Sequence, residues 1–185
     1  MREDAVIRPD GSPGIYGVVD MKGWAIAAVP LTAEGDTLLV GQHRYTLDFY
    51  SWEVPMGGGD KALLPLDGAR RELREETGIQ AARWTYLGES HLSNSVCTEI
   101  GLVYLAEDLT FGEAEPEATE DLRLWRLPFS DALEMAMTGQ ITDALSIVAL
   151  ARIDLFLRDG RRLSPALHVE TGVGALAQRG VPGDR

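Results

Sequence analysis

Arg71-Glu72-Leu73-Arg74-Glu75-Glu76-Thr77-Gly78-Ile79 is the stretch on which the reading of this chain turns. On a helix, Glu72 and Glu76 stand four apart and Glu72 and Glu75 three apart, so the three carboxylates share one face. Leu66, Ala69 and Leu73 form a separate apolar stripe suited to packing on a sheet. The helix is expected from Pro65 to Thr77: proline is tolerated in a first turn, whose N–H has no helical partner, and Gly78 is a natural terminator. Unscreened carboxylates at these spacings repel by about a few tenths of a kcal/mol per pair. Hard divalent cations, Mg²⁺ above all, turn that cost into a gain. Adjacent metals could then grip a diphosphate from both sides and activate a water. The plainer alternative is a solvated acidic face on which Arg70, Arg71 and Arg74 supply local ion pairs, as charge runs usually do.

Before this helix the chain reads as strands and turns. Ala5–Arg8 and Ile15–Val19 flank the turn-forming run Pro9 to Gly14, and Ala25–Leu31 and Thr37–His43 flank Glu34-Gly35-Asp36, so two hairpins are expected. Ser51–Val54 is a short strand stopping at Pro55. The run Gly57-Gly58-Gly59 either brings backbone close to a ligand or is a flexible connection. Beyond the helix, strands are expected at Arg83–Leu87, Gly101–Ala106 and Leu122–Arg126. Ser130 is expected to cap a helix closed by Gly139, and Thr142 one running to Arg158. Strand runs on either side of a central helix, with two late helices, give α+β with a mixed sheet between helices.

Composition excludes several classes. A chain of 185 residues with 45% hydrophobic side chains fits one domain with a small appendage. With 29 acidic against 17 basic residues the net charge is −12, which disfavours a nucleic-acid partner. No apolar run reaches the length of a membrane span, and the acidic start lacks the core of a signal peptide. The single cysteine, Cys97, suits a reducing, cytoplasmic setting. It has no positioned histidine to make it a nucleophile, and His43, His91 and His168 lack metal-ligand spacing.

The helix stretch resembles the signature of the Nudix family: a glycine, five residues, a glutamate, seven residues, then Arg-Glu-apolar-any-Glu-Glu-any-Gly-apolar. Gly57 and Arg71 stand in register with it. The resemblance extends from about Trp24 to Arg158. Leu39-Val40-Gly41-Gln42-His43-Arg44-Tyr45, Ser51-Trp52-Glu53-Val54-Pro55 and Ile141-Thr142-Asp143-Ala144 are similar to the ADP-ribose and nucleotide-sugar branch. One departure stands out. The signature's first glutamate is here Leu63, followed by Leu64. In the family that glutamate braces the loop by pairing with the arginine matched by Arg71, so its loss implies a looser loop and a helix without a polar N-cap.

The resemblance implies roles residue by residue. Glu72 and Glu76 are the principal metal ligands, Glu75 a shared or third-metal ligand, and the main-chain carbonyl of Met56 completes the shell. Gly57 and Gly58 let backbone approach phosphate. Arg44 contacts the substrate's phosphates through its fork; on local sequence alone a surface arginine ending a strand is the favoured reading. Glu53 binds substrate, orients a ligand, or is a strand-face charge. The general base is expected in the acidic loop Phe111–Asp121, with Glu120 first and Glu117 second, although such loops are often merely solvated. The loop Ser93–Glu99 is expected to line the sugar end.

The implied fold is an α/β/α sandwich with a mixed central sheet and an N-terminal β-hairpin extension. Residues 1–23 would form the extension and a dimer contact, 24–160 the Nudix domain and 161–185 a loose tail. The implied activity is Mg²⁺-dependent hydrolysis, with Mn²⁺ a possible substitute, of a nucleoside diphosphate joined to a sugar. The rivals are a nucleoside triphosphate pyrophosphohydrolase and, because of Leu63, a non-hydrolysing module that binds nucleotide as a sensor.

Overall fold

The computed structural model describes residues 1–115 and 121–159. The order is β1 (Arg2–Ile7), β2 (Pro13–Val18), β3 (Gly23–Pro30), β4 (Asp36–Arg44), β5 (Phe49–Glu53), β6 (Met56–Asp60), α1 (Pro65–Thr77), β7 (Ile79–His91), β8 (Ile100–Phe111), β9 (Arg123–Pro128), α2 (Phe129–Met137) and α3 (Ala144–Arg158).

β3 explains the layering. Trp24, Ile26 and Ala28 alternate with Ala25, Ala27 and Val29, and both sets are apolar, as a strand covered on both faces requires. The first set packs with Leu102, Tyr104 and Ala106 of β8 against Ala69 and Leu73 of α1. Ala27 and Val29 pack with Val103 and Leu105 against Leu145, Ala149, Leu150 and Ile153 of α3. The sheet order is β6-β3-β8-β7, with β3 and β8 parallel and the outer pairs antiparallel. A mixed sheet therefore lies between α1 on one face and α3 on the other. Fully burying a side chain such as Leu73 contributes about 1.5–3 kcal/mol.

Ala5–Arg8 and Ile15–Val19 do form a hairpin, β1–β2. The second expected hairpin does not form: β4 joins a separate sheet of order β5-β4-β9. Pro30 ends β3 without an N–H to extend a ladder. The chain then folds back on itself, the Thr32 N–H donating to the Asp36 carbonyl at 2.9 Å, with Gly35 at φ +90°. β4 pairs instead with β5 across Tyr45–Asp48, where Asp48 takes φ +54°.

Helix α1 matches its expected span. Leu64 is its N-cap and offers no side-chain hydrogen bond, while the Gly78 N–H closes the C-terminus onto the Arg74 carbonyl. The late caps differ from expectation. Ser130 lies inside α2, whose N-cap is Pro128. α3 is capped by Asp143 rather than Thr142, its carboxylate accepting from the Ser146 N–H at 2.7 Å. Among the described residues no helix is long and apolar enough to cross a membrane.

Candidate active site

The glycine run is a strand. Gly57, Gly58 and Gly59 pair with Ile26, Ala25 and Trp24 in the β3–β6 ladder, so their backbone is fixed. Gly57 and Gly59 face α1. A Cβ at Gly57 would overlap the carboxylate of Glu72, one at Gly59 the Ile26 side chain, and one at Gly58 would meet nothing. The missing side chains allow α1 to lie close on β6, as a Cβ on Gly68 would come 3.6 Å from the Gly59 Cα.

That approach buries two of the three glutamates. Glu72 and Glu76 are 8% and 4% exposed, and Glu76 accepts the Met56 N–H at 3.0 Å. Arg71 ties the arrangement together. It donates to the Gly58 carbonyl at 2.6 Å, to Glu75 at 2.8 Å, and to Glu72. Burial works against the Arg71 charge, but the fields of Glu72 and Glu75 outweigh it and raise its pKa.

Arg44 and Glu53 form the second part of the site. Arg44 stands opposite Phe49 and Glu53 opposite Val40 in the β4–β5 hairpin, and their side chains reach along it to a two-pronged pair, Nε to Oε1 at 2.8 Å and Nη2 to Oε2. The Glu53 side chain is 5% exposed and that of Arg44 37%, so the buried carboxylate presents the guanidinium outward. The hydrogen bonds to Glu53 raise the Arg44 pKa against desolvation, and the fields of Glu53, Asp143 and Glu76 add to them. A cavity of about 240 Å³ opens beside this pair, lined among others by Arg44, Phe49, Ser51, Glu53 and Asp143. The guanidinium thus stands at the wall of the cavity, within the electrostatic field of Glu76 on α1. Asp143, at the head of α3, was not singled out from sequence as a site residue. Its one signal was its place in Ile141-Thr142-Asp143-Ala144.

The donor set fits a hard divalent cation in one respect: two carboxylates are buried beside main chain at Met56–Gly57, where no side chain intervenes. The carboxylates are meanwhile engaged by groups of the chain itself. Among the described residues no three His, Cys, Asp or Glu groups are drawn together to grip an ion. Glu72 and Glu75 turn to Arg71, and Glu76 to the Met56 N–H.

Glu117 and Glu120 lie outside the described residues. The loop Ser93–Glu99 does not line the Arg44 cavity. It holds the N-terminal extension, with the Val19 N–H donating to the Val96 carbonyl at 2.7 Å and the Thr98 N–H to the Val19 carbonyl at 3.0 Å.

Fold and site together define an α/β/α protein that sets buried glutamates beside the β6 edge of a mixed sheet and an oriented arginine on a second, antiparallel sheet. The model of the NUDIX domain matches residues 21–145, and the chain belongs to that family. It is 32% identical over 149 residues to an ADP-ribose pyrophosphatase of Bacillus subtilis, covering 80% of each chain. A second relative, an ADP-ribose pyrophosphatase of Mycobacterium tuberculosis, is 32% identical over 156 residues, covering 83% of this chain and 75% of that one. A solved structure described as an ADP compounds hydrolase superposes with a TM-score of 0.76 at 20% identity, covering 86% of each chain, and bears out the fold.

Proposed function

We propose that this Nudix chain is a pyrophosphohydrolase that cleaves the diphosphate bridge of a nucleoside diphosphate joined to a sugar, ADP-ribose or a related compound, to a nucleoside monophosphate and a sugar phosphate. The observation that carries this reading is the Arg44–Glu53 pair, which holds a guanidinium at the wall of a cavity of about 240 Å³, where the field of Glu76 also reaches it. A guanidinium held on one side by a buried carboxylate keeps donors for phosphate oxygens on the other. The two ADP-ribose pyrophosphatases similar over most of their length support the substrate class.

In this reading Glu72, Glu76 and Glu75, with the Met56 carbonyl, would hold Mg²⁺ or Mn²⁺. When bound, the cation polarises phosphoryl oxygens and lowers the pKa of a water. The chain's own contributions are distinct. β6 supplies side-chain-free backbone at Gly57 and Gly58 on the phosphate side, Arg44 neutralises charge on the diphosphate, and Glu53 fixes Arg44. The general base is Glu120 or Glu117. Glu115, which precedes them in sequence, is held beside Glu75, whose carbonyl accepts its N–H at 2.9 Å. We further propose a cytoplasmic homodimer with residues 1–23 as the contact, since Ile7 and Ile15 of the hairpin are 73% and 71% exposed. Residues 24–160 would then be the catalytic domain and 161–185 a tail.

The test is a panel of ADP-ribose, nucleoside diphosphate sugars, dinucleotides and nucleoside triphosphates, incubated with Mg²⁺ or Mn²⁺ while released phosphomonoesters are counted. The reading requires the fastest release from ADP-ribose or a diphosphate sugar. Preference for triphosphates, or no release from any member, overturns it.

A further inference from the structure

A second cleft, of about 370 Å³, lies between α1 and β7 and is lined by Arg70, Arg71, Arg74, Gln80, Ala81 and Trp84. Its charged lining groups are all guanidiniums, in a chain whose net charge is −12. Arg70 and Arg74 stand one helical turn apart, with side chains 55% and 52% exposed. Arg70 meets a carboxylate at 3.3 Å, that of Asp67. Arg74 approaches Glu75 only to 3.9 Å, beyond hydrogen-bond reach. A guanidinium carries five N–H donors, so both retain most of theirs for an anion.

The opposite wall is aromatic. The Trp84 indole N–H is spent on the Ala81 carbonyl at 3.1 Å, and the ring stands edge-on to Tyr104 at 6.4 Å. Trp84 therefore offers the cleft a fixed ring surface and no polar donor. Paired arginines select phosphate oxygens, and an anchored indole selects a planar group to stack on.

We propose that this cleft is a second nucleotide site, which binds a mononucleotide with its phosphate on Arg70 and Arg74 and its base on Trp84. Arg71 lines the cleft and also pairs with Glu72 and Glu75, so it is shared by the two sites. A small inorganic anion would use the arginines and ignore Trp84. A polynucleotide would meet the acidic remainder of the surface.

Titration calorimetry of the full chain with AMP and with ribose 5-phosphate, in EDTA, tests this without turnover. The Arg44→Gln variant removes the other guanidinium grip while keeping a partner for Glu53. In that background AMP should still bind. Adding Arg70→Ala with Arg74→Ala should weaken it at least tenfold with an unchanged melting temperature. Trp84→Leu should weaken AMP but not ribose 5-phosphate, and Trp84→Phe, which keeps a ring, should restore much of the difference. AMP binding lost in Arg44→Gln, or untouched by the double arginine change, overturns the site. Ribose 5-phosphate binding as tightly as AMP, with Trp84→Leu affecting neither, overturns the nucleotide assignment. The failure of either arm leaves the hydrolysis panel to be judged on its own.

Discussion

The carboxylate of Glu72 occupies the volume that a Cβ on Gly57 would need. The absence of a side chain at 57 therefore positions a glutamate on a different element. Gly57→Ala must displace that carboxylate or push α1 off β6. Turnover should fall by about a hundredfold, the scale of a roughly 1 Å misplacement in a catalytic constellation. Gly58→Ala, whose Cβ meets nothing, should be far milder, though it sits one residue away. Paired kinetics of the two variants check this, and equal losses would show that β6 responds as a whole.

Glu76 is buried and accepts the Met56 N–H. A glutamine retains an acceptor for that N–H and loses the charge. Glu76→Gln should therefore fold with nearly unchanged melting temperature and lose divalent-dependent hydrolysis. Loss of even an outer partner of a metal ligand typically costs 10–100-fold, so a ligand should cost at least about a hundredfold. Wild-type turnover at saturating Mg²⁺ would remove Glu76 from the site.

Arg44→Lys keeps the charge and loses the fork. A lysine reaches one oxygen of Glu53 or one phosphate, not both pairs, and a hydrogen bond between charged groups contributes about 1.5–3 kcal/mol. KM for diphosphate substrates should rise about tenfold or more, with a smaller change in kcat. The buried Glu53 also loses half its pairing, so the melting temperature should drop by a few degrees. Unchanged kinetics across the panel would return Arg44 to a strand-end surface role.

The central helix was legible because its signals are local: proline at the start, glycine at the end, and an apolar stripe on a 3.6 period. The β3–β4 pairing was not legible, because adjacent apolar runs around a Glu-Gly-Asp turn read as a hairpin whether or not they share a sheet. Only the parallel pairing of β3 with β8, some 75 residues on, decides it. The candidate site divides in the same way. The glutamates could be placed on one helix face by spacing alone. Arg71 binding the Gly58 carbonyl, the clasp of Arg44 by Glu53, and Asp143 beside them depend on tertiary contacts between distant elements.

Leu64 offers a stability prediction independent of activity. It is the N-cap of α1, 47% exposed, and gives the first turn no side-chain acceptor. Leu64→Asp should raise stability by about 1 kcal/mol through capping of an orphan N–H and favourable placement at the positive helix end. Denaturant unfolding with an unchanged m-value checks it. No gain would show that Pro65 holds the first turn in a geometry that a capping carboxylate does not reach.

Leu63 is the sharper case. It is 62% exposed, so replacing it disturbs little core packing. The family's brace at this position is a glutamate paired with the arginine matched by Arg71. Here Arg71 instead secures the strand through the Gly58 carbonyl and is further engaged by Glu72 and Glu75. In Leu63→Glu the new carboxylate would compete for a guanidinium that already holds two. Its effect on stability should be small, about 0–1 kcal/mol, because an exposed pair is screened by water. Its effect on turnover is the informative quantity. By drawing Arg71 away from Glu72 and Glu75 the new glutamate should leave both carboxylates more available to a cation. The divalent concentration for half-maximal rate should then fall and kcat should rise. Both are read from Mg²⁺ titrations of wild type and variant at saturating substrate, with melting temperatures alongside. A lower kcat with an unchanged Mg²⁺ midpoint would mean that Arg71 is needed where it now stands, as the tie between α1 and the glycine strand, and that this chain has replaced the family's carboxylate brace with a main-chain one.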